Sequence, residues 1–145
     1  MLRWDRSLLG QEFSRVEQHV TGAMILEYAD LIGAKDRIYT DVQAAQARGY
    51  RDIIAPPTFV TWRGVHPIAP PEMGFSGTGI NAGYECTFYG VVYPGDTLIY
   101  STCLVDIYEK TGRSGTMCFV VRQTTVTNQH GETVAVLRNP FILGW

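Results

Sequence analysis

The sequence predicts an α+β domain in which one antiparallel sheet curls round a helix. Two observations carry this. Helix caps and small helix-forming residues are concentrated before residue 60. From Ile80 onward β-branched and aromatic residues dominate, in four runs divided by short turn clusters. A length of 145 residues suits a single domain over 1–145, long enough to bury one core and too short to divide comfortably into two.

The elements follow in order. Residues 13–20 alternate as a strand does, with every second side chain on one face. Thr21 then offers an oxygen to the first free N–H groups of the run GAMILEYADLI, and Gly33 supplies a natural helix C-terminus. Met24, Ile25, Tyr28, Leu31 and Ile32 share one face of that helix. Asp41 caps a second helix, VQAAQAR, which is rich in alanine and stops at Gly49. Pro56 and Pro57 break the chain, and a third helix is expected over 58–64, because proline is tolerated in a first turn. Strands are expected over 82–89, 97–108, 116–128 and 133–143. Their separators, 93–96, 110–115 and 128–132, have the residues and lengths of short hairpin loops.

Composition narrows the function classes. Hydrophobic residues make up 46% and charged residues 18%, and no stretch of Pro, Gly, Ser or like charge is long enough for a linker, so the chain is expected to fold throughout. A net charge of -2, with twelve Lys and Arg scattered singly, offers no basic field for a phosphate backbone, which argues against nucleic acid. No apolar run approaches the roughly 20 residues that span a bilayer. Arg3, Asp5 and Arg6 stand where a signal peptide needs an apolar centre, so a cytoplasmic protein without membrane association is expected. Cys86, Cys103 and Cys118 lie in separate apolar runs and read as reduced core thiols. His19, His66 and His130 lack a second ligand at metal spacing, so no metal site is expected. The segment GFSGTG over 74–79 lacks the Lys-Ser/Thr of a phosphate loop and reads as a flexible surface loop, or as a lid over a ligand groove.

Two segments carry a resemblance over nearly the whole length. They are Gly49-Tyr50-Arg51-Asp52-Ile53-Ile54-Ala55-Pro56-Pro57-Thr58-Phe59 and Phe88-Tyr89-Gly90-Val91-Val92-Tyr93-Pro94-Gly95-Asp96-Thr97-Leu98. On them the chain resembles a MaoC-like dehydratase of the N-terminal type. The resemblance implies a hot-dog fold, a curled antiparallel sheet wrapped around a central helix. It implies work on enoyl or 3-hydroxyacyl thioesters, with no cofactor other than the coenzyme A or acyl-carrier thioester of the substrate itself. It further implies a Gly-Asp-x-Asn-Pro-x-His segment whose Asp and His activate water. Here that segment is Gly33-Ala34-Lys35-Asp36-Arg37-Ile38-Tyr39. Ala34 has no proton chemistry, and Tyr39, with an ordinary pKa of about 10, is a poor base near neutrality. The backbone N–H that relatives are expected to offer the thioester oxygen falls at Pro57, which has none; losing one such donor commonly costs roughly 10² to 10³ in rate.

Several residues remain candidates. Asp36 is either a displaced base or a solvated loop carboxylate, and Tyr39 is the other catalytic candidate. Asp41 reads as a helix cap. His66 either approaches the site or is an ordinary loop imidazole. Tyr28, Tyr39, Tyr50 and Phe59 either line an acyl channel or belong to the core, and Pro57 and Thr58 complete the expected substrate-binding set. Arg48, Arg51 and Arg63 either meet the phosphates of the carrier or are ordinary surface charges. Three readings follow. The first is the non-catalytic half of an (R)-specific enoyl-CoA hydratase, paired with an Asp/His-bearing MaoC-like subunit. The second is a non-enzymatic homodimer that binds acyl-CoA or an acyl-carrier-protein thioester. The third is a stand-alone hydratase or thioesterase with a relocated carboxylate.

Overall fold

Alternation along the longest strand sets the architecture. In β4 (Thr97–Gly112), Leu98, Tyr100, Thr102 and Leu104 are buried while their neighbours are half-exposed, the pattern of a sheet with one covered face. The computed structural model describes residues 5–62 and 67–143. β4 joins β1 (Glu12–His19), β5 (Gly115–Thr127), β6 (Thr133–Leu143) and the short β2 (Ile80–Asn81) and β3 (Glu85–Phe88) in one antiparallel six-stranded sheet. The order is β1-β4-β5-β6, and β2 and β3 both pair with β6. The expected α+β class with a single antiparallel sheet is what forms.

Two apolar clusters hold this sheet. At one end α1 (Gly22–Leu31) lays Ile25 and Tyr28 against Leu98, Tyr100, Val126 and Leu137. At the other, Leu104, Val120 and Leu143 pack with Ala69 and Met73. Each fully buried aliphatic side chain contributes about 1.5–3 kcal/mol, so α1 is held by its apolar face more than by helix propensity. Thr21 caps α1 as expected, its Oγ1 accepting from the Met24 N–H at 3.2 Å, and Gly33 takes the left-handed φ of 65° just beyond the helix.

Four expectations are corrected and a fifth is narrowed. On α1 the buried residues are Ile25, Tyr28 and Ala29, whereas Leu31 is 63% and Ile32 47% exposed. Periodicity marks a face, but burial needs an element opposite it. The third helix is a five-residue 3₁₀ turn, Pro57–Thr61, tightened where the Thr61 hydroxyl donates to the Thr58 carbonyl; residues 63–66, with Arg63 and His66, lie outside the described residues. The run 82–89 shortens to Glu85–Phe88, and a separate pair, Ile80–Asn81, joins β6 before it; between them Pro140 of β6 has no N–H to donate and the Asn139 amide reaches across to Asn81 and to the Gly83 carbonyl. The 110–115 loop shrinks to the two residues between β4 and β5, since a stacked Tyr108–Phe119 pair, centroids 4.9 Å apart, extends the ladder. Finally, 74–79 is a surface loop tied to the core at two points: Gly74, Ser76, Gly77 and Thr78 are exposed, while Phe75 joins the second cluster and a Cβ at Gly79 would stand 3.2 Å from Ile68 and Leu143.

Candidate functional site

Residues 36–57 build one wall of a groove, and the sheet edge builds the other. The groove has a volume of about 460 Å³; Ile38, Tyr39, Tyr50, Ile54 and Pro57 face Phe88, Val91, Val92 and Val134, with Asp36 and Arg48 also in its lining. The first wall is assembled by local capping. Asp36 caps the 3₁₀ turn Arg37–Tyr39 by accepting the Ile38 N–H at 3.1 Å. Asp41 caps α2 (Val42–Ala47), accepting the N–H groups of Gln43 and Ala44 at 2.9 and 3.3 Å, and its second oxygen takes the Arg37 guanidinium. Ile38, Ala45 and Ile54 then form a small cluster on which the rings of Tyr39, Tyr50 and Tyr93 lie. Two backbone bonds, Ile54 N–H to the Ile38 carbonyl at 3.2 Å and Ala55 N–H to the Val92 carbonyl at 2.8 Å, fasten this wall to the sheet edge.

Charge in the groove is already committed. The Asp36 carboxylate also takes the Arg48 guanidinium at 2.7 Å. The Ile38 N–H first, and then Arg48, hold Asp36 below the usual aspartate range, while Asp36 raises Arg48. The Ala44 N–H does most to lower Asp41. A carboxylate this strongly stabilised as the anion is a weak proton acceptor. Ala34 places its N–H on the Ala29 carbonyl at 2.9 Å and brings only a methyl side chain.

The structure gathers some of the expected site residues and separates others. Asp36, Tyr39, Tyr50 and Pro57 share the groove. Tyr28 and Phe59 are buried, ring to ring at 5.7 Å in an edge-on contact. The Tyr28 hydroxyl is 2.6 Å from that of Thr58, so these three residues form a cluster with Trp62 within and beside the core. Arg51 turns to a second cavity of about 440 Å³ that shares Tyr89, Gly90, Val91 and Val134 with the groove; there it stacks on Tyr93 at 4.0 Å and stands 3.8 Å from buried Asp96. Sequence reasoning missed the sheet-edge wall of Phe88, Val91, Val92 and Val134. The signal was present, because 88–98 carries half of the resemblance, but those residues read as strand and turn. Among the described residues no His, Cys, Asp or Glu cluster is arranged to hold a metal ion.

A family model described as FAS1-like, dehydratase domain region, matches residues 7–137. The chain belongs to the FAS1-like dehydratase family. This FAS1-like chain is 26% identical to a UPF0336 protein of Saccharopolyspora erythraea, over 95% of this chain and 90% of that one. It is 32% identical to a UPF0336 protein of Streptomyces coelicolor, over 74% and 76%. A UPF0336 protein of Streptomyces avermitilis is 42% identical over 57 residues, which span 39% of this chain and 38% of that protein. Among solved structures, the ChsH1-ChsH2 complex from Mycobacterium tuberculosis superposes with a TM-score of 0.71 at 25% identity, covering 87% of this chain and 83% of that chain. The HadBC (3R-hydroxyacyl-ACP dehydratase) complex from the same organism gives 0.73 at 21%, covering 93% and 96%. A MaoC-like dehydratase from Rhodospirillum rubrum gives 0.72 at 20%, covering 93% and 91%. The MaoC-like resemblance and the hot-dog fold are thus borne out, and the FAS1-like chain is a hot-dog dehydratase relative.

Proposed function

We propose that this FAS1-like chain is the acyl-binding, non-catalytic half of a two-component (R)-specific enoyl-CoA hydratase or 3-hydroxyacyl dehydratase. The observation that carries the reading is a largely apolar groove whose one lining carboxylate, Asp36, is occupied as a cap and ion pair and in which Tyr39 stands where the resemblance implies a histidine; Ala34, at the position of the implied aspartate, lies outside the lining. The groove offers a hydrocarbon tail an apolar lining of Ile38, Ile54, Val60, Val92 and Val134. The water-activating Asp and His come from a homologous partner chain.

Two further observations support a partner. ChsH1-ChsH2, similar to this chain, is a complex of two named chains. Along the sheet edge, Phe88 is 42%, Tyr89 64% and Val91 37% exposed, and β3 pairs only with β6 among the described residues. Apolar side chains beside an unpaired strand edge are the kind of surface that proteins cover. Because Phe88, Tyr89 and Val91 also line the groove, a partner seated there closes its open side. The three cysteines are free thiols, which suits the cytoplasmic setting we propose.

The test is hydration of a short trans-2-enoyl-CoA, followed by loss of the conjugated-thioester absorbance. The purified chain alone should give no activity above background, and addition of an Asp/His-bearing homologue should give activity. Activity of the chain alone that falls on Asp36→Asn would instead establish a relocated base and overturn the proposal.

A further inference from the structure

The acyl-binding reading leaves two half-buried polar groups of the groove without a role. The rings of Tyr39 and Tyr50 pack on the Ile38–Ala45–Ile54 cluster and are half-buried, and both residues line the groove. Neither hydroxyl has a hydrogen-bond partner among the described residues, whereas the Tyr28 hydroxyl is satisfied by Thr58 at 2.6 Å. Of the other polar side chains of this lining, Asp36 and Arg48 bond each other and Tyr89 is 64% exposed on the open side, while the N–H groups of Ile54 and Ala55 go to backbone carbonyls. Pro56 and Pro57 have no N–H to offer.

We infer that the hydroxyls of Tyr39 and Tyr50 are hydrogen-bond donors to an oxygen on the tail of the acyl group, so that the groove selects oxygen-bearing acyl chains over plain hydrocarbon ones. This rests on the acyl-groove reading above. A purely hydrocarbon tail would strip water from two hydroxyls and return nothing, and a buried hydroxyl left unpaired weakens binding roughly fivefold or more. An acceptor oxygen, as a hydroxyl or ketone on the tail, restores both bonds. Sites built to bond a polar substituent discriminate against the analogue without it far better than apolar pockets discriminate by size.

The experiment is titration calorimetry with dodecanoyl-CoA and with a panel of the same chain length, each member bearing one hydroxyl or keto group at a different carbon of the tail. Free coenzyme A is the control, and the proteins are the wild type, Tyr39→Phe, Tyr50→Phe and the double variant. At least one oxygenated ligand should bind the wild type roughly tenfold tighter than dodecanoyl-CoA. Each single substitution should shrink that preference and the double variant should abolish it, with dodecanoyl-CoA bound as well as before or better. Both substitutions remove only hydroxyls that no described residue uses, so the melting temperature should hold. Equal affinity of the wild type for dodecanoyl-CoA and every panel member, or a preference that survives in the double variant, would overturn the inference and leave the acyl groove standing. If no acyl-CoA binds more tightly than free coenzyme A, the acyl-groove reading falls and the inference falls with it.

Discussion

At the scale of single residues, what a side chain already bonds decides what it can do. Asp36 lines the groove together with Tyr39, yet both its oxygens are taken, one by a backbone N–H and one by an arginine. The linkage sign follows from its lowered pKa. A depressed carboxylate contributes stability that is complete above its ordinary value of 3.8 and is lost as pH falls through the lower folded value. Acid titration followed by the amide resonances of Ile38, Gln43 and Ala44, which report on Asp36 and Asp41, should therefore give midpoints below 3.8. Midpoints at or above that value would show these caps to be unformed in solution. The Cys118 thiol, 3% exposed, is pushed by burial up to about 12. Iodoacetamide should label Cys118 in the folded protein more slowly than Cys86 and Cys103, which are half-exposed; equal rates would contradict this packing.

Elements in this molecule are made by caps and cross-strand pairs in different proportions. α2 is a six-residue helix, too short to persist on its own, and Asp41 satisfies two of its free N–H groups. Asp41→Ala should lower the denaturant midpoint of unfolding, and an unchanged midpoint would show that the cap does not hold α2. On the covered face of the sheet, Thr102 and Thr124 bond each other at 2.8 Å between the two apolar clusters. Thr102→Val should destabilise by about 1–3 kcal/mol because it strands the Thr124 hydroxyl, while the double change to valine should recover most of the loss. Additive losses would mean that the pair is not coupled.

For the whole molecule, the sheet edge and the groove are one feature. β3 ends in Phe88, and the chain continues through Tyr89 and Val91 as an apolar ridge that forms one side of the groove. If a partner chain covers this edge, Phe88→Glu should abolish association in sedimentation velocity while leaving far-UV dichroism unchanged. Unaltered association would place the partner elsewhere. The wall over 36–57 is fastened to the sheet by backbone bonds that do not depend on the side chains of Asp36 or Tyr39.

The sequence by itself determined the local structure of this protein. Thr21, Asp41 and Gly33 act where their chemistry predicts, because capping and left-handed turns involve neighbours a few residues apart. The strand runs were legible from β-branched and aromatic alternation, and the proposal of a non-catalytic chain began with the side chains of Ala34 and Tyr39 and the absent N–H of Pro57. Tertiary structure alone decided which aromatic residues reach the groove. Tyr28, Tyr39, Tyr50 and Phe59 are equivalent as residue types, yet Tyr39 and Tyr50 line the groove while Tyr28 and Phe59 are buried. It also decided that Leu31 and Ile32 stay exposed and that Asp36 is occupied by Arg48, twelve residues away. Periodicity and side-chain type are properties of the chain, whereas burial and electrostatic pairing depend on what the fold brings opposite.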